Sequence, residues 1–364
     1  MRGGTSKGVL IQSSDLPPSE EIQDKILLRL MGSPDLRQID GLGGGDVLTS
    51  KVEIVSPSED SSFDVNYTHC QIGIDEAVVW RDKNCGNMAA AVAAFAVEKG
   101  WLTPAEPVAR VRIYCTNTQN ILRAEVPVQN GSPVLDGDFV IDGVPGSGAK
   151  ILLDWYDFAG SSTGKLFPTG NRIDSIRLDG VGVVELSLID LVNLTAFVRA
   201  ESLGLQGDED PLSLARNDRL MKTTGDMRKV LHKEYGLTGP PFISIVSSPR
   251  DYRDYNSGKT IRKDEVDLVG RVRGSMVHKA YAVSVSAGTA VAALLPGTVV
   301  RSVMDSAHQQ KGLIRIGHPQ GVLCVECQLN DREPGKVEIE RVAVGRTARK
   351  LMEGYAYVSV SKDQ

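Results

Sequence analysis

Two alanine-rich segments, one in each half of the chain, constrain its fold more than any other feature. The first is "NCGNMAAAVAAFAVEKG" (residues 84–100) and the second is "SVSAGTAVAALLPG" (residues 284–297). Each places a small polar turn before a helical stretch that ends at glycine, and each is followed by a hairpin pattern, "VRIYCTNTQNILRAEV" or "LIRIGHPQGVLCVEC". The repeated order predicts an internal duplication of roughly 160 to 180 residues, and hence two pseudo-equivalent domains.

The remaining hydrophobic pattern mixes short strands with helices and predicts an α+β fold. In the first half, strands are expected at 51–56, 76–80, 108–115 and 121–128, and helices at 19–31 and 87–99. In the second half, strand-like "VVELSLID" and "TAFVRA" precede a helical stretch around 209–235 and a strand within 241–249. Periodicity lapses in "FAGSSTGKLFPTG" (158–170). We therefore expect domains at 1–162 and 163–352, with a C-terminal strand at 353–364 that returns to the first.

Composition and charge exclude several classes of protein. The net charge is -5 with no long basic run, so nucleic acid is not an expected partner. Five cysteines are too few and too scattered for a disulfide framework, and no leading apolar segment resembles a secretory signal, which predicts a reducing cytoplasmic location. The longest apolar run, within 88–97, is about half of the roughly 20 residues that a bilayer span needs, so no membrane contact is expected.

Both helix-opening turns have the composition of anion sites. The start of a helix presents backbone N–H groups without intrahelical acceptors and a partial positive charge. "CGN" and "SAGT" therefore predict two carboxylate-binding turns, formed by Gly86 and Asn87 in the first half and by Ser286, Gly288 and Thr289 in the second. If the pseudo-twofold relation brings them face to face, the cleft binds an anion with at least two acidic groups.

Cys85 lies at the start of the first of these helices. Positive potential there stabilises a thiolate, which makes the side chain competent to give or accept a proton near neutrality. The alternative is a small apolar side chain in the core, which is the commoner fate of a lone cysteine. Its neighbours Gly86 and Asn87 stand where an apolar pocket would otherwise be expected, and they favour the chemical role.

Two further side chains are candidates for the same site. Strand alternation in "LTSKVEIVS" puts Lys51 and Glu53 on one face, and a lysine there is either a proton carrier or a surface residue. His318, in "IGHPQG" at the tip of the second hairpin, either contacts a carboxylate or is a turn histidine. The sequence leaves both choices open.

Three weaker motifs predict neither a cofactor nor a metal. "GLGGGD" (41–46) lacks the third glycine of a dinucleotide fingerprint, and "GSSTGKL" (160–166) lacks a hydroxyl residue after its lysine. Cys324 and Cys327 form a single CxxC in a strand-like run with no second pair, which argues against zinc.

Six further motifs cover nearly the whole chain: "MRGGTSKG" (1–8), "MGSPDLRQIDGLGG" (31–44), "LTSKV" (48–52), "NCGNM" (84–88), "GHPQG" (317–321) and "GRTARKLMEGYAYV" (345–358). Together they resemble the motifs of the PrpF family, whose members include 2-methylaconitate isomerase and 4-oxalomesaconate tautomerase. This family is similar in fold to diaminopimelate epimerase. The resemblance implies a diaminopimelate epimerase-like α+β fold. It has two pseudo-symmetric domains, each a sheet wrapped around a central helix, with the active site in the cleft between them.

The resemblance also implies which residues handle protons. In the family, the lysine of "TSKV" and the cysteine of "CGN" have this role, and they correspond to Lys51 and Cys85. Diaminopimelate epimerase uses two cysteines, one from each half, but the second position falls at about Ala287 here, which disfavours a racemase. Family members usually carry several residues ahead of "MRGGTSKG", so we expect a first strand shorter than theirs.

The predicted function is a cofactor-independent isomerase. It moves a double bond by a 1,3-allylic proton shift, or isomerises it, in a small unsaturated polycarboxylate such as 4-oxalomesaconate, 2-methylaconitate or aconitate. Lys51 must lose its proton to act as a base, which burial or a neighbouring cation such as Lys7 or Arg2 favours. The sequence does not decide which of Lys51 and Cys85 takes the first proton. The other residues expected to bind substrate are Arg2, Thr5, Ser6, Ser50, Gly86, Asn87, Ser286, Gly288, Thr289 and His318.

Two other functions stay open at this point. One is a non-catalytic carboxylate-binding accessory protein, and the other is an amino-acid racemase or epimerase. The oligomeric state is also open, with a homodimer as one alternative.

Overall fold

The computed structural model describes residues 1–237, 239–274, 276–305, 310–333 and 336–358. The chain forms two compact units, of which the first contains Met1–Leu153 together with the segment that begins at Gly345. The second unit is Asp154–Val344. The structure thus divides the chain after residue 153, where the sequence suggested 162, and the chain rejoins the first unit at 345. Residues 353–358 form no strand, and the rest of the expected C-terminal strand lies outside the described residues.

The first unit combines a six-stranded sheet path with two helices and a small second sheet. Its strands are β1 (Arg2–Gly3), β2 (Ser6–Lys7), β3 (Val9–Gln12), β4 (Lys51–Pro57), β5 (Val65–Ile72), β6 (Val79–Trp80), β7 (Val108–Cys115), β8 (Asn120–Gln129), β9 (Ser132–Pro133) and β10 (Ile151–Asp154). Its helices are α1 (Glu20–Met31), α2 (Gly86–Glu98) and a 3-10 turn at Ser13–Asp15. The strand order is β10-β8-β7-β5-β4-β3, with β3 parallel to β4 and β5 parallel to β7.

The second unit has the same kinds of elements. Its strands are β11 (Asp174–Leu178), β12 (Gly182–Leu191), β13 (Asn193–Arg199), β14 (Phe242–Ser247), β15 (Tyr252–Arg253), β16 (Thr260–Ile261), β17 (Leu268–Arg273), β18 (Leu313–His318), β19 (Gly321–Glu333) and β20 (Lys336–Arg346). Its helices are α3 (Pro211–Ala215), α4 (Asp218–Glu234), α5 (Val283–Leu294), α6 (Val299–Val303) and 3-10 turns at Glu201–Leu203 and Lys263–Glu265. The order is β11-β12-β13-β14-β17-β18-β19-β20. A last strand, β21 (Ala348–Arg349), joins β1 and β2 of the first unit.

The order of elements confirms the internal duplication. In each unit, the two strands of a parallel pair are connected through an outer helical segment, and an antiparallel strand follows. Next come an alanine-rich helix and a strand that lies parallel to that antiparallel strand and opens a hairpin. One ion pair recurs at the same place. Arg112 binds Asp64 in the first unit and Arg315 binds Asp267 in the second, and each pair is 48 residues apart along the chain.

The two alanine-rich helices are central because they are apolar on every side. Ten of the thirteen residues of α2 are buried, and ten of the twelve of α5. A helix that is apolar all round must be surrounded by protein, and alanine side chains let neighbouring strands approach its backbone closely. The predicted α+β architecture is therefore present in both units.

Three local predictions differ from the structure. β5 was not predicted, because Asn66, Thr68, His69 and Gln71 interrupt the apolar run although the strand is largely buried. The stretch around 209–235 is two helices, since Asn217 caps α4 through the backbone N–H of residue 220. The strand expected at 76–80 is reduced to its last two residues.

α5 starts earlier than "SAGT" suggested, which corrects the predicted second anion turn. The helix begins at Val283 with Ala282 as its N-cap, so Ser286, Gly288 and Thr289 lie inside it. The Ser286 N–H donates to the carbonyl of residue 282 at 3.0 Å, and its hydroxyl donates within the same turn. Val283 and Val285 are buried, and this burial extends the helix toward its N-terminus despite the turn propensity of serine and glycine. The amides of "SAGT" are therefore engaged in the helix.

Candidate active site

Lys51 opens β4 and is buried rather than on the surface. Its side chain is 6% exposed, and its ammonium donates to Gln71 Oε1 at 2.5 Å. Gln71 lies directly opposite on β5, and its own amide donates to the carbonyl of Ser50 at 2.8 Å. The position of the lysine amine is thus set by a side chain that is itself hydrogen-bonded to the backbone.

A buried acid and a buried imidazole lie next to Lys51 on the same face. Glu53 is completely buried and His69 is 4% exposed, and Nδ1 of the histidine is 2.9 Å from the carboxyl oxygen Oε2. Burial raises the pKa of Glu53 well above its ordinary value, although the charge of Lys51 opposes this shift. Burial also lowers the pKa of His69 to about 4. Burial therefore favours the uncharged form of each side chain.

Tyr67 connects this polar face to the start of α2. Its hydroxyl donates to the backbone carbonyl of Cys85 at 3.2 Å. Cys85 is the N-cap residue of α2 and is half-buried, and no side chain caps the helix. By contrast, burial raises the pKa of Cys70 and of Cys327 to about 12. Cys85 thus does not share the burial of the core cysteines, and the structure places it at an open helix N-terminus.

The "RGGTS" segment lies directly against this N-terminus. Asn87 donates through Nδ2 to the Thr5 hydroxyl at 3.0 Å and accepts from the Thr5 N–H at 3.4 Å. A Cβ at Gly3 would lie 2.5 Å from the carbonyl oxygen of Asn87, so only glycine permits this approach. Arg2 donates to the carbonyls of Gly4 and Thr347, which positions the loop backbone. Two of the predicted residues, Thr5 and Asn87, therefore meet at the start of α2, and Arg2 holds the same loop.

Ser6 and Ser50 differ in what their hydroxyls contact. The Ser6 hydroxyl is buried and has no hydrogen-bond partner among the described residues. The Ser50 hydroxyl accepts from Gln38 Nε2 at 2.6 Å and donates to the carbonyl of Ile72 at 3.0 Å. Ser50 therefore holds the segment that leads into Lys51, while Ser6 retains a free hydroxyl.

Arg346 is a member of this group that the sequence did not single out as a site residue. It ends β20, is 4% exposed, and donates from Nε to Asn87 Oδ1 at 3.1 Å and from Nη1 to the carbonyl of Gly345 at 2.7 Å. Burial lowers its pKa to about 10, while the nearby Cys85 sulfur has the opposite effect. Arg346 and Asn87 are 259 residues apart in sequence, so no local pattern could pair them.

The candidates of the second unit are His318 and the residues of α5. His318 ends β18 and is 5% exposed, and its Nδ1 accepts from the N–H of Gln320 at 3.2 Å within the hairpin turn. Ala282 is the N-cap of α5, and Ala287 lies inside the helix. No cysteine occurs between residues 278 and 297, so neither position offers a second thiol.

Comparison with known proteins identifies the family. The PrpF protein family model matches residues 1–359. The chain belongs to the PrpF family. It is 42% identical to the 3-methylitaconate isomerase of Eubacterium barkeri, over 100% of this chain and 97% of that protein. It is 37% identical to the (4E)-oxalomesaconate Delta-isomerase of Novosphingobium sp., over 98% and 96% of the two chains. With the 2-methyl-aconitate isomerase of Shewanella oneidensis the identity is 35%, over 98% and 95%.

Solved structures agree with this assignment. The crystal structure of a methylitaconate-delta-isomerase superposes with a TM-score of 0.85 at 40% identity, covering 100% of this chain and 97% of the other. A hydroxyproline epimerase from Agrobacterium vitis matches with a TM-score of 0.55 at 12% identity, covering 98% and 88% of the two chains, which shows a shared fold. The PrpF-family chain is therefore an isomerase with the diaminopimelate epimerase-like fold.

Within the described part of the chain, no helix combines the length and apolar character needed to cross a membrane. The same residues contain no group of three or more His, Cys, Asp or Glu side chains that could hold a metal ion.

Proposed function

We propose that this isomerase catalyses a 1,3-allylic proton shift in a small unsaturated di- or tricarboxylate, with Lys51 and Cys85 as its acid and base. The named substrates of the relatives, methylitaconate, methylaconitate and oxalomesaconate, all belong to this class. The higher identity to the 3-methylitaconate isomerase makes 3-methylitaconate the first acid to test.

One observation carries the proposal. Lys51 is on β4, and Cys85 is the N-cap of α2. On the face of β4 and β5 that carries Lys51, Gln71 contacts the lysine amine and Tyr67 contacts the backbone of Cys85. The Glu53–His69 pair lies on the same face between Gln71 and Tyr67, and burial favours its uncharged form. An uncharged pair leaves the amine and the thiol available for proton exchange with a substrate instead of engaging either in a fixed ion pair.

The electrostatics favour a direction for the first proton transfer. The open N-terminus of α2 and the Arg346 guanidinium place positive potential around the Cys85 sulfur. The Lys51 amine nitrogen donates to the Gln71 carbonyl oxygen, which holds it in place. In our proposal the thiolate of Cys85 removes the allylic proton and Lys51 supplies a proton to the far carbon.

The step balances without a co-reactant. The allylic C–H bond breaks and its proton passes to sulfur. The electron pair shifts through the alkene, with negative charge spreading into the conjugated carboxylate, and a new C–H bond forms with the proton of Lys51. The enzyme ends with a thiol and an amine, and proton exchange with water restores the starting state.

The test is proton NMR in D2O with 3-methylitaconate, 2-methylaconitate, 4-oxalomesaconate and cis-aconitate supplied separately. We expect the alkene signal of one acid to migrate and deuterium to enter its allylic position. Lys51→Ala and Cys85→Ser should each reduce the rate by about 100-fold or more, as is typical for the loss of a general acid or base.

Matched substitutions separate the chemistry from folding. Cys324→Ser changes an exposed thiol on β19, and Lys25→Ala changes an exposed lysine on α1, and both should retain the wild-type rate. Full activity in Lys51→Ala or Cys85→Ser would remove that residue from the mechanism. No exchange in any of the four acids would exclude this substrate class.

A further inference from the structure

Arg346 is a buried cation without a carboxylate partner among the described residues. Its hydrogen bonds go to neutral oxygens, those of Asn87 and Gly345. Two arginines of the duplicated hairpins do pair with carboxylates, Arg112 with Asp64 and Arg315 with Asp267. Burying an unpaired charge is costly, so this guanidinium is suited to receive an anion.

The surroundings hold the guanidinium in one orientation. Nε is directed at Asn87, which is itself bonded to Thr5. A Cβ at Gly4 would lie 2.1 Å from the Asn87 side-chain oxygen and 3.0 Å from Arg346 Cδ, so the loop leaves no space for the arginine to turn away. A guanidinium held by Nε and Nη1 still has N–H groups on its other side, which match the two oxygens of a carboxylate.

Two other features of the same place favour an anion. The 13-residue helix α2 begins here without a side-chain cap. The Ser6 hydroxyl is buried and lacks a hydrogen-bond partner among the described residues. Ser6 is on β2, which pairs with β1, and β1 lies against α2. A carboxylate could accept from this hydroxyl as well as from the guanidinium.

We propose that Arg346, held in place by Asn87, binds one carboxylate of the substrate and places it beside Cys85. This assignment rests on the proposed function and deepens it, since it names the group that orients the substrate relative to the reacting sulfur. Arg346 acts in binding and leaves the proton transfers to Lys51 and Cys85.

Asn87→Asp provides the sharpest test. An aspartate at this position retains the acceptor oxygen and can accept from the Thr5 hydroxyl, and it supplies Arg346 with an internal carboxylate at the 3.1 Å contact. We expect the melting temperature to stay the same or rise, because a buried charge gains a partner and an acid is added to the first turn of α2. At the same time KM should rise at least about tenfold, because the substrate carboxylate must compete for the guanidinium.

Arg346→Lys and Arg346→Gln complete the series. The lysine variant retains the charge without the planar fork and should show a smaller rise in KM than the glutamine variant. Arg271→Gln is the matched control: Arg271 is also a buried arginine that donates to backbone carbonyls, but Asp208, Glu209 and Asp210 contribute to its electrostatic environment. We expect this control to lower the melting temperature and leave KM within about twofold.

Methylsuccinate, a saturated dicarboxylate, keeps the test independent of turnover. Its binding, measured by calorimetry, should weaken by about tenfold or more in Asn87→Asp and Arg346→Gln. If the wild type isomerises its substrate but neither variant changes KM or methylsuccinate affinity, Arg346 is not the carboxylate site. If the wild type isomerises none of the acids yet the variants weaken methylsuccinate binding, the proposed reaction fails and the anion site stands.

Discussion

At the scale of single residues, two buried ionisable side chains, whose uncharged forms burial favours, lie beside Lys51, one of the two residues proposed to exchange protons. Glu53 and His69 are directly opposite on β4 and β5, at a contact of 2.9 Å. A charged pair in this position would compete with substrate for Lys51. A neutral pair occupies the same space and retains one hydrogen bond, and burying it costs less desolvation free energy than burying two charges.

This protonation state predicts the pH dependence of stability. The pKa of Glu53 is raised above its ordinary 4.5, so the stability it contributes is present below pH 4.5 and is lost as the pH rises toward its folded value. The pKa of His69 is lowered from 6.5 to about 4, so stability is lost as the pH falls from 6.5 toward 4. Glu53→Gln mimics the protonated acid and removes only the first effect. Relative to wild type, it should become more stable by roughly 1–3 kcal/mol as the pH rises from 5 to 8.

Urea unfolding at pH 5, 6, 7 and 8 measures this difference. Glu21→Gln, at an exposed position on α1, serves as the control and should give no comparable trend. If Glu53→Gln is instead several kcal/mol less stable at every pH, the native pair is an ionised carboxylate with an imidazolium.

At the scale of elements, the two units share an aspartate–arginine ion pair that joins the antiparallel strand to the following hairpin. Asp64 precedes β5 and Asp267 precedes β17, and each accepts two hydrogen bonds or more from an arginine on the first hairpin strand. The two copies differ in depth, because the Asp267 side chain is fully buried whereas the Asp64 side chain is 16% exposed.

The two copies provide an internal comparison of the same interaction. Asp267→Ala should reduce the free energy of unfolding by about 3–5 kcal/mol, because it removes a carboxylate partner of the Arg315 guanidinium, which is less exposed to water than that of Arg112. Asp64→Ala should cost about 1–3 kcal/mol, because the Arg112 side chain is 43% exposed and water can solvate it. Denaturant unfolding of both variants gives the values, and equal losses would mean that depth does not control this pair.

At the scale of the whole molecule, two copies of one topology have acquired different chemistry. The start of α2 carries a cysteine, a free polar turn and a neighbouring arginine, while the start of α5 carries alanine and valine. A racemase-type arrangement needs a proton carrier from both copies. This chain instead has a thiol and an amine in its first unit, which suits a proton moved between two carbons of one substrate.

Because the proposed reaction uses only side-chain acids and bases, the enzyme should not depend on a metal. Prolonged dialysis against EDTA should leave the isomerisation rate within about twofold of the untreated enzyme. A loss of activity that Zn²⁺ or Mg²⁺ restores would contradict the mechanism.

Local sequence patterns predicted much of this protein. The alanine-rich repeats and their hairpins indicated the duplication, and strand alternation placed Lys51 and Glu53 on one face of β4. The polar turn before α2 indicated the position and environment of Cys85. These features depend on residues close together in sequence, where periodicity and capping rules apply.

Other features were decided only by tertiary packing. The sequence cannot show that β5, with its polar side chains, is a buried strand, or that its His69 and Gln71 face Glu53 and Lys51. Nor can it show that α5 extends back through "SAGT", or that Arg346 reaches Asn87 across 259 residues. Burial and long-range pairing determine which charges lose water and which groups then hold them. The sequence therefore determined the duplicated fold and the kind of chemistry, and packing decided which ionisable side chains are buried and which cation lies beside Cys85.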